Sequence, residues 1–372
     1  MTLLQGEAGW QGDEAPGEEG VRANRIPLYD YLRVFALLTV VAIHVLAGYL
    51  SNRETVWSPD LLLAFDHLLH YAVPMFVFIS GALVWGRVRS WELSGYGAFL
   101  KRRVAVVVVP YVAWGAIFYL LRPAAEVSQF PASRLAAVRE FLELLLNGHI
   151  WYHLYFVPMI VVFYLLTPLA QAVLRRSPEA LLLLVVGVRV FFGPAIVTAF
   201  ADLSAYEVLK PLLVDVVEHA PFMALGAWYA VRFEVAGRVL SRVWPFVLAL
   251  GAAMWPAYTM RAVHISQPYV RRVYEFAAIG SLILGFVGAF TLVGRVRSDL
   301  DEKAKSLADL TYGAYLAHPL VIFAMRKSVG LLGIGAWWDS LLFVAVFLAI
   351  AVTVTLALVS ALKRTPVLRR FV

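Results

Sequence analysis

Three residues of the first long apolar segment, Asp30, Arg33 and His44, carry the groups best suited to chemistry. The segment reads RIPLYDYLRVFALLTVVAIHVL, with Arg33 three residues after Asp30 and His44 eleven residues after Arg33. In a helix, eleven residues bring two side chains to within about 20° of each other around the axis and ~16 Å apart along it. One helix face would therefore present a permanent cation at one depth and a titratable base at another.

This arrangement suits a reaction whose two substrates arrive from opposite ends of the helix. A hydroxyl that attacks an acyl thioester needs a general base but no metal, and a histidine with a pKa near 6.5 fits that need. A covalent acyl-histidine is an alternative that the sequence leaves open. The structural alternative is an Asp30–Arg33 ion pair near the helix start, with His44 in an interhelical hydrogen bond.

The composition indicates what holds these residues in place. Of 372 residues, 61% are hydrophobic and 15% charged, whereas charged residues make up about 25% of soluble domains. The apolar residues come in blocks long enough for helices that cross a hydrocarbon core of ~30 Å. We therefore predict an all-α, polytopic membrane helical bundle with about ten transmembrane helices. The absence of cysteine excludes disulfides, thiolate zinc sites and a cysteine acyl-enzyme.

The predicted spans are 27–49, 68–85, 104–121, 150–174, 180–201, 211–231, 243–260, 273–293, 308–325 and 338–362. Residues 1–25 are predicted to be a disordered cytoplasmic tail, 26–363 the membrane domain and 364–372 a short cytoplasmic tail. With both termini in the cytoplasm, inner segments hold 20 Lys and Arg residues and outer segments 10. This bias supports that orientation, and such short basic clusters between spans argue against nucleic-acid binding despite a net charge of +7.

The first segment resembles the opening signature of the bacterial membrane O-acyltransferases of the acyltransferase-3 family, in which an arginine is followed by ten residues and a histidine. The matching residues are Arg25, Asp30, Arg33, Ala36, Val40 and His44. Three later stretches are similar to further helices of the family, namely YAVPMFVFISGALVWG, GHIWYHLYFVPMIVVFYLLTPL and LTYGAYLAHPLVI. The resemblance thus extends over most of the predicted membrane domain.

The resemblance implies transfer of an acyl group, commonly acetyl from cytoplasmic acetyl-CoA, to a hydroxyl of a glycan or glycolipid at the outer face of a bacterial cytoplasmic membrane. It makes His44 the catalytic residue, Arg33 a donor-side residue and Asp30 its orienter. Acyl-CoA would be a co-substrate, with no cofactor bound permanently, and membrane lipids would surround the chain. Because the sequence ends soon after its last predicted span, we expect a stand-alone transferase without a hydrolase-like domain.

Other polar residues are weaker candidates for donor or acceptor binding, and for most of them a structural role is favoured or equally plausible. Trp151 is interpreted as an interfacial anchor, with His149 and His153 beside it, although this cluster could border the acceptor. For Ser80, helix packing is favoured over nucleophilic attack. The remaining candidates are Arg25, Arg189 and His318.

Two further expectations concern the buried charges. Arg189 should pair with Asp215 or Glu218, or else contact the donor's phosphates, because an unpaired cation within a span is costly. Asp215, Glu218 and His219 lie within one helical turn but lack the spacing of zinc motifs, so no metal is expected.

The competing function is a transporter or flippase for a lipid-linked glycan or small amphiphile, whose pathway intramembrane charges could line. The first-segment signature and the lack of an internal repeat favour the enzyme.

Overall fold

The computed structural model describes residues 25–50, 59–86, 93–201, 203, 205–259, 265–335 and 340–372. Within this part, the chain is a bundle of helices with no strand, which confirms the predicted fold class. The predicted disordered tail lies outside the described residues except for Arg25.

The helices, in chain order, are α1 (Pro27–Leu50), α2 (Pro59–Leu69), α3 (Ala72–Ser80), α4 (Leu93–Arg103), α5 (Val109–Leu121), α6 (Arg134–Asn147), α7 (Phe156–Leu165), α8 (Thr167–Leu174), α9 (Pro178–Gly187), α10 (Gly193–Thr198), α11 (Tyr206–Val231), α12 (Phe233–Thr259), α13 (Pro268–Val296), α14 (Asp301–Ala308), α15 (Thr311–Leu331) and α16 (Leu341–Arg364). The described chain also has π-helical turns at Gly81–Trp85, Val104–Val108 and Val188–Phe192. Each π turn continues the preceding helix, so α3, α4 and α9 run on with a local change of winding.

Seven helical segments of the described chain are long and apolar enough to cross a membrane, and two bent helix pairs bring this number to nine. The bent pairs are α7 with α8, at 56°, and the segment Ser298–Ala308 with α15, at 58°. The sixth predicted span forms α11, which has 26 residues. Its Asp215, Glu218 and His219 make it less apolar than the other spans, and it packs against α3, α7 and α9.

Helix α1 lies at the centre of the bundle. It packs against α2, α3, α13, α14, α15 and α16, so residues on several of its faces are enclosed by protein. This central position explains why Asp30 is buried although it is charged.

Two glycines let α11 pass very close to the segment that continues α3. A Cβ atom on Gly226 would lie 1.9 Å from the Phe78 carbonyl oxygen, and one on Gly81 would lie 2.0 Å from that of Met223. Such contacts between backbones are typical of membrane bundles, where small residues replace side-chain interdigitation. The crossing fixes α11 against the helices that carry the candidate residues.

The start of α1 and the start of α15 lie at one end of the bundle, here called the Arg25 end. Arg25 donates to the Asp309 carboxylate at 3.0 Å, and the Lys363 ammonium donates to the Asp309 carbonyl oxygen. The last turn of the chain packs nearby, since the Trp114 indole donates to the Phe371 carbonyl oxygen at 2.8 Å. These contacts tie α1, α15 and α16 together at that end.

Candidate functional site

His44 lines a cavity of about 450 Å³, here called the His44 cavity. Its ring lies 4.4 Å from the ring of Tyr152 and 5.3 Å from that of His318, measured between centroids. The other polar and aromatic lining residues are His70, His153, Tyr155, Arg189, Glu218, His219, Phe222, Trp255, Glu275 and Tyr315. The cavity therefore offers carboxylates, imidazoles and aromatic rings around one candidate base.

An irregular loop, residues 148–155, brings Tyr152 and His153 to His44. The predicted span 150–174 is thus wrong at its start, because helix α7 begins only at Phe156. The interpretation of Trp151 as an interfacial anchor is also wrong, since Trp151 is buried and its ring lies 5.1 Å from that of Phe118. His149 is exposed, whereas His153 is buried and borders the cavity.

Gly148 makes this loop possible by ending α6 in a left-handed conformation, with a φ of 79°. A Cβ at this position would lie 2.3 Å from the Tyr155 backbone Cα. We expect Gly148→Ala to lower the free energy of unfolding by at least about 1–3 kcal/mol, from the backbone strain alone, and to misplace Tyr152. Thermal unfolding in detergent would measure this change. Gly187→Ala is the control, because its Cβ would meet no atom within 4 Å, and equal effects of the two changes would contradict the expectation.

The buried histidines beside His44 keep polar atoms without partners. The Nδ1 of His318 lies 2.7 Å from the Tyr315 carbonyl oxygen, and a carbonyl only accepts, so this nitrogen donates. In the described part of the chain, His318 Nε2 and both ring nitrogens of His153 are buried without a hydrogen-bond partner. Buried polar atoms left in this state are rare in proteins and are consistent with a site that binds a polar ligand.

Arg326 is a site residue that the sequence did not indicate, because the predicted span 308–325 ends one residue before it. It lies in the last two turns of α15 and donates to the His44 carbonyl oxygen at 2.8 Å. Gly48 makes room for it, since a Cβ there would lie 1.8 Å from an Arg326 guanidinium nitrogen. The contact holds α15 against α1 at the level of the candidate base.

Arg189 is paired inside the bundle, as one branch of the sequence prediction required. Its guanidinium lies 2.5 Å from the Glu218 carboxylate and 3.0 Å from that of Glu275, and it donates to the Arg272 carbonyl oxygen at 2.6 Å. Glu275 was not foreseen, and Asp215 is not one of the described partners. These charges form part of the wall of the His44 cavity.

A different group has the spacing for metal ligands. In the described residues, the ligand atoms of Asp66, His67 and His70 lie within 4.8 Å of one another, and His70 borders the His44 cavity. In the group for which the sequence predicts no metal, the Nδ1 of His219 lies 2.8 Å from the Asp215 carbonyl oxygen. That contact is an ordinary hydrogen bond within one helix.

A second cavity, of about 320 Å³, lies towards the Arg25 end and is here called the Arg33 cavity. Its polar lining residues are Arg33, Ser80, Arg103, Tyr164, Asp309, Thr311, Tyr312 and Tyr315. Asp30 is engaged mainly by Arg25, at 2.6 and 3.0 Å, and lies 3.6 Å from Arg33. The carboxylate therefore steadies both arginines, while the Arg33 side chain borders the cavity.

Ser80 lines the Arg33 cavity, but its hydroxyl donates to the Phe76 carbonyl oxygen at 2.9 Å. Serines of membrane helices commonly make this bond to the preceding turn. The bond fits the packing role better than an activated nucleophile.

Among the described residues, the two cavities have one lining residue in common, Tyr315. Helix α1 is continuous from Pro27 to Leu50, so the eleven residues from Arg33 to His44 rise ~16 Å along it. A cationic cavity at one depth and a histidine cavity at another thus share a single aromatic wall. The structure therefore places the candidate cation and the candidate base in two neighbouring cavities along one helix.

Comparison of the sequence with models of known protein families indicates the class of reaction. A family model described as an acyltransferase domain matches residues 26–360. The chain therefore belongs to the acyltransferase-3 family and is a membrane acyltransferase. No curated protein and no solved structure matches it.

Proposed function

We propose that this protein transfers an acyl group, typically acetyl, from cytoplasmic acyl-CoA to a hydroxyl of a glycan or glycolipid at the outer face of a bacterial cytoplasmic membrane. The observation that carries this proposal is the meeting of the Arg33 cavity and the His44 cavity at Tyr315. An acyl donor and an acceptor held in the two cavities would approach each other there. The membership in an acyltransferase family supports transfer rather than transport.

The Arg33 cavity suits the donor because it is cationic. Arg33 and Arg103 border it together, and the guanidinium of Arg103 lies 5.2 Å from the ring centre of Tyr164. Arginine binds phosphate through paired hydrogen bonds, so two arginines can hold the anionic part of a CoA ester. The thioester end would then extend towards Tyr315.

The His44 cavity suits a hydroxylated acceptor. Carboxylates and imidazoles accept hydrogen bonds from hydroxyl groups, and Trp255 and Tyr155 supply apolar ring faces. His44 would take the proton of the attacking hydroxyl as its oxygen bonds to the thioester carbonyl carbon. The C–S bond then breaks, the proton passes from His44 to the CoA thiolate, and the products are an ester and free CoA.

The proposal is tested by reconstituting the purified chain in liposomes with CoA ester carrying a labelled acetyl group on one side and membrane glycan fractions on the other. We expect the label to move to the glycan as an ester that mild alkali removes. Absence of transfer to every glycan or glycolipid fraction, with folded protein present, would contradict the proposed acceptor class. Transport of unlabelled glycan without ester formation would favour the flippase.

Arg33→Ala is expected to weaken acyl-CoA binding by roughly 10- to 100-fold, the worth of a hydrogen bond to a charged group. Arg33→Lys should recover only part of this loss, because lysine lacks the planar fork. Equilibrium binding of a labelled, non-hydrolysable acyl-CoA analogue measures both. Arg238→Ala is the control, since Arg238 is exposed and bonds to its own helix. If Arg33→Ala binds the analogue as tightly as this control does, Arg33 is not a donor residue.

If both termini lie in the cytoplasm, the side of the membrane on which each loop lies is fixed. Single cysteines at Ser298 and Leu332, which are exposed and flank the bent span of α14 and α15, should be labelled from opposite sides. An impermeant thiol reagent outside intact cells should modify Leu332→Cys alone, and Ser298→Cys should react only after the membrane is opened. The parent chain has no cysteine and serves as the blank. Labelling of Ser298→Cys in intact cells would contradict the predicted cytoplasmic orientation of both termini.

A further inference from the structure

We propose that Tyr315 separates the acyl donor from water of the His44 cavity, and that the site has a latent acyl-CoA hydrolase activity which this side chain suppresses. The inference rests on the proposed function, because it takes the Arg33 cavity as the donor site. It goes further by assigning a second reaction to the same site and a role to Tyr315, which is not among the candidate residues predicted from the sequence.

The position of Tyr315 carries the inference. Its side chain lines both cavities, yet the residue is only 6% exposed. A residue that borders two cavities while remaining buried is a wall between them. Removing the wall would join spaces of about 450 and 320 Å³, and a single water occupies only ~30 Å³ in the liquid.

The ring is held in place from several sides. Its centroid lies 5.7 Å from that of Phe156 and 5.3 Å from that of His153, both at steep angles that favour aromatic pairing. The hydroxyl donates to the His153 carbonyl oxygen, which belongs to the irregular loop 148–155. The closed position is therefore stabilised both by packing and by one hydrogen bond to that loop.

The need for such a wall follows from the chemistry. A base that activates an acceptor hydroxyl can also activate water, which is far more concentrated than any glycan. Water would add to the thioester carbonyl carbon, the C–S bond would break, and the products would be the free carboxylate, CoA thiol and one proton. With Tyr315 in place, water in the His44 cavity does not reach the donor, and transfer occurs only when a bound acceptor displaces the ring and brings its hydroxyl to the thioester.

The separation can be measured without any enzymatic turnover. Val73 borders the His44 cavity alone, so a single Val73→Cys in this cysteine-free chain reports on that cavity. A small impermeant thiol reagent should modify it from the outer side only. Adding Tyr315→Ala should make it reactive from the cytoplasmic side as well. Phe323→Ala is the matched control, because Phe323 lies on the same helix but borders neither cavity, and it should leave the one-sided reactivity unchanged.

The latent activity is measured as CoA release from acyl-CoA with no acceptor present. Tyr315→Ala should raise this rate by ~10-fold or more, and adding His44→Ala should abolish the gain, because a general base commonly contributes ~100- to 10,000-fold. Tyr315→Phe, which keeps the ring, should stay near the parent rate. Tyr315→Leu, which retains most of the apolar volume, repeats the test if the alanine variant does not fold.

Two results would overturn the inference. One is unchanged cytoplasmic access to Val73→Cys in folded Tyr315→Ala and Tyr315→Leu proteins, and the other is an equal rise in hydrolysis for Phe323→Ala. If access changes but neither the parent protein nor any variant consumes acyl-CoA, the proposed function and the latent hydrolase activity both fail, and only the separation of the two cavities by Tyr315 is retained. The two failures are therefore distinguishable.

Discussion

His44→Ala is expected to reduce acyl transfer by ~100- to 10,000-fold, the usual contribution of a general base, while leaving acyl-CoA binding almost unchanged. The separation of roles follows from the structure, because His44 borders one cavity and Arg33 the other. Initial rates of ester formation in proteoliposomes measure the first effect, and binding of a non-hydrolysable analogue measures the second.

His149→Ala is the matched control for this change. His149 belongs to the loop that reaches the site, but its side chain is exposed and does not border the His44 cavity. It should retain transfer close to the parent rate. Normal transfer by the His44 variant, in membranes with confirmed expression, would remove His44 from the mechanism and make the transporter the better explanation.

Arg189→Ala is expected to lower the free energy of unfolding by about 1–3 kcal/mol, because it removes charge-assisted hydrogen bonds from Glu275, which is 20% exposed, and from Glu218, which is 41% exposed. Arg189 lies within hydrogen-bonding distance of Glu218 and Glu275, and its side chain is 6% exposed. Chemical unfolding in detergent micelles, followed by tryptophan fluorescence, measures the loss. Transfer should fall as well, since the three residues shape one wall of the His44 cavity.

Arg232→Ala provides the contrast for Arg189. Arg232 pairs with Glu179 at 2.9 Å, but both side chains are almost half exposed, and ion pairs in such surroundings contribute little. Its removal should leave the unfolding curve nearly unchanged. Similar destabilisation by both changes would show that the ion pairs of Arg189 contribute no more to the free energy of unfolding than an exposed pair does.

The part of the site that depends on helix geometry could be predicted from the sequence. The spacing of Asp30, Arg33 and His44 is a local property, and the predicted span 27–49 agrees with α1 to within one residue. The buried pairing of Arg189 also followed from a general cost, the free energy of an unpaired charge inside a membrane. Its second partner, Glu275, could not be predicted, because Arg189 and Glu275 are 86 residues apart in the sequence.

The loop 148–155 was misassigned for a related reason. Hydropathy measures whether a residue avoids water, and Trp151 or Leu154 avoids water equally well inside a protein and in lipid. Both are buried within the bundle. The apolar composition of this irregular loop was therefore interpreted as the start of a transmembrane helix. Such backbone is tolerated at membrane depth only where protein encloses it. Tyr315 and Arg326 were missed because their roles depend on long-range contacts that leave no periodic signal.

The π-helical turns of the described chain have a consequence for comparing relatives of this protein. Arg189 lies within one of them, Val106 and Val107 of the Arg33 cavity lie within another, and Ser80 directly precedes the third. A π turn takes one more residue than an α turn and so shifts every later side chain around the helix axis. Relatives that lack the turn would be one residue shorter inside the span. Alignments of this family should therefore allow single-residue gaps within transmembrane helices, where gaps are usually forbidden.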